Sequence, residues 1–583
     1  MREAPPRLAT SWAAARRRIR ASTEFDVLAR TFFARFFEND VTGGGRDLRN
    51  SFFWLIAFLA APGALIPVVM FFDWEGVAVG QGADALRIAS RADKVFYLGF
   101  AMVASGLLSA VTWSSLLLDR RDSLVLGTLP VSGRRIVRAK LTALAVYITA
   151  VAVGTHSLAA LSYGLFLGTH KPMSFAVVGA VAHMVAACSA TAFVLFAIVA
   201  IQGLLLAAVG PRRFIATSPW LQSVVVGVML IGMVLLPLVS TSTVDTLAGS
   251  GDALRPWILQ TPPLWFLGLY EVVLRTDEPL MRQLSLRAVG ALLGAGLLTI
   301  VVYPVAYRRL VSNVVELSAA STRRGWAARA IEWIVALVSR DAVIRASSQF
   351  FLIAVRRSTR HRLTVAMAIG ATAAMISPTV FRWMAPQTSL PSAPPRDLLA
   401  LPLEVILILL VGFRIAAALP ADLAAGWMPN SIGLRASPMR AGLWRTMFIS
   451  VVFPVSLATA ASYWLLWGDR WALMHTTMCA IVGAVLIEML TWGFDGLPCG
   501  RPWQPEHANL RKWWPAYIGL FLFITGGLPW IEQLYFRDGP TFTALMAILA
   551  SIAVVLRITH RRRRVPPEID LDEPAMVQVL NLD

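Results

Sequence analysis

Long uncharged runs of apolar residues recur along the chain, each about the length of a helix that crosses a bilayer. A transmembrane helix needs about 20 mostly apolar residues. In the first half, such runs lie at 51–72, 95–118, 141–168, 174–209, 218–238 and 286–307. In the second half, they lie at 363–382, 398–419, 446–467, 471–493, 514–535 and 541–558. The pattern predicts an all-α polytopic membrane protein of about twelve transmembrane helices, arranged as two six-helix, pseudo-symmetric halves.

The composition agrees with this class. Of the 583 residues, 57% are hydrophobic and only 15% are charged, whereas a soluble domain carries about 25% charged residues. The net charge of +19 comes almost entirely from arginines that flank the apolar runs and do not form one basic face. We therefore expect the lipid bilayer, and no nucleic acid, as a partner.

The loop charges predict the orientation of the spans. One set of loops carries clusters of basic residues, among them Arg134, Arg135, Arg138, Arg212, Arg213, Arg308 and Arg309. The opposite loops carry few, such as Lys171, Arg470 and Arg537. The positive-inside rule places the first set, and both termini, in the cytoplasm. Because the first apolar run begins only near Ser51, after an arginine-rich stretch, we expect no cleaved signal peptide and a location in the bacterial inner membrane.

The predicted organisation has five parts. They are a cytoplasmic N-terminal segment with an interfacial helix (1–50), a first six-span half (51–310), a cytoplasmic connector (311–362), a second six-span half (363–560) and a cytoplasmic tail (561–583). The interfacial helix is indicated by phenylalanines and aliphatic residues at helical spacing before a basic patch, a pattern that 27–37 and 343–355 share.

A second internal repeat connects spans in each half. The segments 116–140 and 418–445 both run from an apolar helix through an aspartate to a proline beside a serine, and a basic run follows. Repeats at matching positions of two halves are typical of transporters.

The residues that several catalytic chemistries require are missing. No lysine follows a glycine, so the chain has no Walker A loop and cannot be a P-loop ATPase. There is no HExxH or GxSxG motif, and the three cysteines show no zinc spacing. We predict no enzyme, cofactor or metal in this chain. Asp73 and Glu75 leave a membrane-embedded glycosyltransferase as the least favoured alternative.

Ionisable residues inside the predicted spans keep another alternative open. Ion-driven carriers place such groups within the membrane as coupling sites. The candidates are His156, His183, Glu404, Arg414, His475 and Glu488. Because a carboxylate near mid-membrane is costly unless neutral or paired, Glu404 and Glu488 are possible pathway residues. An ion-coupled secondary transporter is therefore the main alternative.

The segment LLLDRRDSLVLGTLPVSGRRIVRAK (116–140) resembles the connection between helices two and three of ABC-2 type exporter permeases. In that family the connection forms a coupling helix that sits in a groove of the nucleotide-binding subunit. The resemblance implies an ATPase contact through Asp119, Arg120, Arg121, Asp122, Pro130, Val131, Ser132, Arg134, Arg135 and Lys140, and in the second half through Asp422, Pro438 and Arg440.

Other segments are similar to the large, fused two-half bacterial members of that family, namely 401–427, 494–514 and TPPLWFLGLYEVVL (261–274). The last, with Trp265 and Glu271, is too short to span and looks like their external re-entrant helix. The resemblance implies a permease that moves an unknown substrate outward, with ATP and Mg²⁺ on a separate ATPase subunit. Simple members have six spans and pair up, whereas this chain would hold both halves. Its second connection is less regular, with Gly426 and Trp427, which predicts unequal ATPase contacts.

Overall fold

The chain divides into two compact units, Met1–Ser321 (unit 1) and Thr322–Asp583 (unit 2). The boundary falls within the predicted connector 311–362. The computed structural model describes residues 24–36, parts of 56–68, 83–117, 130–167, 173–247, 258–312, 329–330, 333–334, 341–384, 391–419, 436–492, 499, 518–535 and 539–562. The loop residues Asp73 and Glu75, the residues Gly426 and Trp427 and most of the predicted tail lie outside this set.

Both units are built from helices in the described residues. In unit 1 the described helices are α1 (24–35), α2 (Ala83–Val111), α3 (Trp113–Leu116), α4 (Gly133–Leu167), α5 (Met173–Leu247), α6 (Pro262–Val273) and α7 (Pro279–Ser312). In unit 2 they are α8 (Ala342–Arg357), α9 (Thr359–Met384), α10 (Arg396–Ala418), α11 (Ala436–Met447), α12 (Phe453–Trp467), α13 (Asp469–Leu490), α14 (Leu528–Tyr535) and α15 (Gly539–Arg562). A single π-helical turn joins α11 to α12, and another precedes α14.

Among the described residues, eleven segments are long and apolar enough to cross a membrane, and no strand is present. The chain is an all-α polytopic membrane protein. The first predicted span, 51–72, is described only in part, so the structure does not establish a count of twelve. The other predicted spans each overlap one of the eleven segments, as 398–419 overlaps Arg396–Ala418 and 471–493 overlaps Asp469–Leu490.

The predicted spans 174–209 and 218–238 belong to one continuous element, α5, which bends at Gly210. The backbone of Gly210 has a φ of 78° and a ψ of 165°, which interrupts the helix. Glycine adopts a positive φ without the steric cost that a Cβ imposes. Pro211 follows directly and has no N–H to donate to the helical ladder. The bend therefore separates the two membrane-spanning segments without a loop.

Small residues allow close helix approach in the interior, and large apolar side chains cover the outside. Leu286, Leu293 and Leu297 form one stripe of α7 and are all largely exposed, as expected for a face that contacts lipid. In unit 2, α8 approaches α11 at Gly442, where a Cβ would lie 2.7 Å from the carbonyl oxygen of Ile344.

Two glycine-to-alanine substitutions test this packing. Alanine favours a helix over glycine by about 1 kcal/mol, so Gly290→Ala, with open space around it in α7, should raise the apparent Tm in detergent. Gly442→Ala should lower the Tm, because crowding against a backbone carbonyl costs about 1–3 kcal/mol. Equal shifts in the same direction for both variants would show that α8 and α11 do not pack this closely.

Candidate functional site

The corner formed by α1 and the beginning of α4 contains those described residues of the predicted ATPase contact that belong to unit 1. Lys140 of α4 is 1% exposed. Its ammonium lies 5.0 Å from the ring centroid of Phe32 and 4.7 Å from that of Phe36. Phe36 in turn stacks on Tyr147 at 4.6 Å. A cation over two aromatic faces is stabilised by their quadrupoles. Because the two rings belong to the α1 segment and the ammonium to α4, these contacts hold α1 against α4.

An ion pair at the surface fixes the other end of α1. Arg135 Nη1 lies 2.6 Å from Glu24 Oε2, and both side chains are partly exposed. Exposed pairs of this kind contribute about 0–1 kcal/mol. The aromatic contacts therefore do more than this pair to hold α1.

The predicted contact residues of unit 1 differ in their solvent exposure. Pro130, Ser132 and Arg134 are exposed, and Val131 and Arg135 are half-buried. Lys140 is the exception, since its ammonium is enclosed by α1 and does not reach the surface. A role for Lys140 in a partner contact is thus indirect, through the position of α1. Another arginine, Arg138, is exposed on α4.

Unit 2 has a counterpart of this corner in α8 and α11. Ser347 Oγ donates to the carbonyl of Met439 at 2.9 Å, and Ser348 Oγ donates to that of Gly442, also at 2.9 Å. The basic residue Arg440 is half-buried.

The remaining residues of the predicted ATPase contact lie partly in α11 and partly outside the described residues. Pro438, inside α11, is half-buried like Arg440. Asp119, Arg120, Arg121, Asp122 and Asp422 lie outside the described residues. Among the described residues of the predicted contact, those of unit 2 are therefore less exposed than Pro130, Ser132 and Arg134 of unit 1.

The predicted external segment 261–274 is a helix, α6, and it carries a buried ion cluster. Glu271 accepts from Lys94 Nζ at 2.7 Å and from Arg91 Nη2 at 3.3 Å. Arg91 also reaches Glu278 at 2.8 Å, and Thr276 Oγ1 donates to Glu271 at 3.1 Å. Glu271, Lys94 and Arg91 are each 3–4% exposed. The cluster joins α6 to α2 by charge-assisted hydrogen bonds.

The charge state of Glu271 follows from these neighbours. Burial raises the pKa of its carboxyl, but the ammonium of Lys94 and then the guanidinium of Arg91 outweigh burial, so the pKa is lowered. The carboxylate is therefore ionised at neutral pH. Its contribution to stability is present above the ordinary carboxyl range and is lost as the pH falls through the lowered pKa.

The other predicted pathway residues are dispersed. Trp265 is partly buried in α6 and donates from Nε1 to the carbonyl of Leu259 at 3.2 Å. Glu404 is half-buried in α10, and Glu488 is buried in the last turn of α13. Neither of these glutamates belongs to the cluster around Glu271, which lies in unit 1.

Unit 2 contains a buried histidine–carboxylate pair, of which the sequence singled out His475 but not its partner. His475 Nδ1 of α13 lies 2.9 Å from both carboxylate oxygens of Glu532 in α14, and both side chains are 0% exposed. His475 Nε2 is 3.6 Å from Cys479 Sγ. The imidazole stacks on Tyr463 at 4.8 Å, and Tyr463 donates from its hydroxyl to the carbonyl of Leu398 at 2.8 Å.

A tyrosine–histidine stack also occurs in unit 1. Tyr163 and His183 stack at 4.6 Å with an interplanar angle of 17°, against 20° for Tyr463 and His475. In both units the tyrosine lies four residues before the end of a long helix, α4 or α12, and the histidine lies in the first half of the next.

Two sequence signals could have revealed this repeat. LAALSYGLFLG (158–168) and ATAASYWLLWG (458–468) share a Ser-Tyr pair and a final glycine. TPPLWFLGLYEVVL (261–274) and TGGLPWIEQLYF (525–536) each place proline and tryptophan before a glutamate, Glu271 or Glu532. The basic partners of these glutamates have no comparable signal, because they come from α2 in unit 1 and from α13 in unit 2.

No family model, curated protein or solved structure matches this chain. Among the described residues, no group of three or more histidine, cysteine or carboxylate side chains could hold a metal ion.

The attachment of α1 can be tested through Lys140. We expect Lys140→Ala to speed tryptic cleavage after Arg30 and Arg35 several-fold, because removal of a buried cation–π contact costs about 2 kcal/mol. Arg138→Ala, at an exposed position of the same helix, is the matched control and should leave the cleavage rate unchanged. Equal cleavage of the wild type and Lys140→Ala would contradict the role given to Lys140.

Proposed function

We propose that the chain is the permease subunit of an ATP-binding-cassette exporter, with ATP hydrolysis on a separate ATPase subunit. The observation that carries this proposal is the corner found in each unit, where a helix rich in phenylalanine packs on the start of the long helix that follows a predicted cytoplasmic connection. A helix held rigidly against the start of a span can transmit the movement of a partner into the membrane.

The charge of the corner in unit 1 suits a protein partner. Arg134 and Arg138 are exposed on the first turns of α4, next to the exposed Ser132. Guanidinium groups are suited to paired contacts with carboxylates, and a basic surface guides the approach of an acidic one. Since Arg440 is half-buried in unit 2, we assign the stronger ATPase contact to unit 1.

The resemblance of 116–140 to the coupling connection of ABC-2 type permeases adds to this argument. On that basis ATP and Mg²⁺ bind the partner subunit, the basic loops and both termini lie in the cytoplasm, and the membrane is a bacterial inner membrane. In this proposal the chain moves its substrate outward, and no residue of the chain is catalytic.

A double charge reversal tests the partner contact. Arg134→Glu combined with Arg138→Glu should lower copurification of a P-loop ATPase subunit several-fold while the chain still inserts, because both side chains are exposed and Arg135 keeps its pair with Glu24. The measurement is the ratio of ATPase to permease after affinity purification from native membranes.

The matched control reverses two exposed arginines elsewhere in unit 1, Arg275 and Arg282. This control should copurify the ATPase at the wild-type ratio. Unchanged copurification with the first double variant, or the absence of any P-loop ATPase from the wild-type preparation, would contradict the proposal.

The second candidate function is an ion-coupled secondary transporter, and the buried pair of His475 and Glu532 favours it, because such pairs act as proton relays in carriers. It predicts substrate-dependent proton flux into liposomes that contain only this chain and a pH-sensitive dye. Glu532→Gln should abolish that flux. Glu488→Asn and Glu404→Gln test the two pathway residues predicted from the sequence.

A further inference from the structure

The helices α6 and α14 hold similar places in the order of their units, although α14 is the last part of the continuous segment Ile518–Tyr535, one of the eleven segments long enough to cross a membrane. Each comes directly before the last membrane-spanning helix of the unit, α7 or α15, and each carries a glutamate in its last turn. In each unit the glutamate side chain is buried and bonded to a basic side chain of an earlier span. The two helices therefore share one mode of attachment, a carboxylate bonded to a membrane-spanning helix.

The chemistry of the two attachments differs. Glu271 in unit 1 is bonded to a lysine and an arginine, which keep their charge throughout the neutral range. Glu532 in unit 2 is bonded to His475, and an imidazole is the side chain that changes its charge most readily near neutral pH. A buried carboxylate that loses its cation is strongly destabilised.

We propose that α6 and α14 are latches, each closed by its glutamate, and that the latch of unit 2 alone opens as the pH rises and His475 loses its proton. The inference goes beyond the proposed function, since it holds whether an ATPase or an ion gradient drives the chain. It assigns a pH response to one unit and not to the other.

The surroundings of His475 leave Glu532 as its charged partner. From α12 it meets Tyr463, and on its own helix it meets Cys479. From α10, the carboxylate of Asp397 interacts electrostatically with Tyr463, the tyrosine that stacks on His475.

The charged groups of α11 and α15 lie at the far end of unit 2, where Arg557 is placed over the ring of Trp444. Trp444 precedes Tyr463 by about five helical turns, or roughly 28 Å at 1.5 Å per residue. These groups are therefore too far from His475 to replace its bond to Glu532.

Further hydrogen bonds tie α14 to the segment before α10. Gln533 Nε2 donates to the carbonyl of Pro394, and Arg396 Nε donates to Gln533 Oε1, both at 2.9 Å. They limit the opening of α14 to a local loosening, which a probe on α14 itself would detect.

Spin labels on the full-length chain in nanodiscs measure the two latches separately. Leu534→Cys reports on α14 and Val272→Cys on α6, since both positions are exposed. Cys188 is replaced by alanine, and the buried Cys479 and Cys499 stay in place. Raising the pH from 6 to about 10, a range that includes ordinary imidazole titration, should increase the mobile fraction of the label at 534 several-fold and leave the label at 272 unchanged.

Variants separate the latch from a general effect of pH. His475→Lys carries a cation over nearly the whole range and should remove the pH response at 534. Glu532→Gln should make that label mobile at every pH without altering the label at 272, and Glu271→Gln should do the reverse. Parallel pH profiles at the two positions, or a wild-type label at 534 that does not respond to pH, would overturn the inference. The wild-type scan stands even if a variant fails to fold.

Discussion

A charge buried among membrane-embedded helices must be bonded to an opposite charge or a hydrogen-bond donor, and this constraint fixes much of the structure. Water is absent as a partner, and an unpaired ion there costs far more than a protein of marginal stability can offset. Glu271 and Glu532, 3% and 0% exposed, each meet the requirement through a basic side chain. These bonds hold α6 against α2 and α14 against α13.

The same constraint separates the basic residues of the corner between α1 and α4. Lys140, which is buried, lies between two phenylalanine rings and stabilises the fold. Arg134 and Arg138, six and two residues earlier on the same helix, are exposed. The buried lysine therefore supports a surface whose arginines are accessible, which is consistent with the proposed contact.

The sequence predicted well what depends on hydropathy and periodicity. The spans α10 and α13 appear within a few residues of their predicted limits, and the phenylalanine spacing of 27–37 and 343–355 led to the helices α1 and α8. Contacts between distant segments leave no comparable pattern in the sequence. The burial of Lys140 depends on where α1 folds back, and the partner of Glu532 depends on the packing of α13 on α14, neither of which leaves a period in the sequence.

The most direct test of the central claim is photo-crosslinking from the corner of unit 1 in native membranes. A crosslinking amino acid at position 134, with position 282 as the control, captures whatever protein docks there, and mass spectrometry identifies it. The account predicts a P-loop ATPase crosslinked at 134 and not at 282. Capture of no P-loop ATPase at 134, or equal capture at both positions, would contradict it.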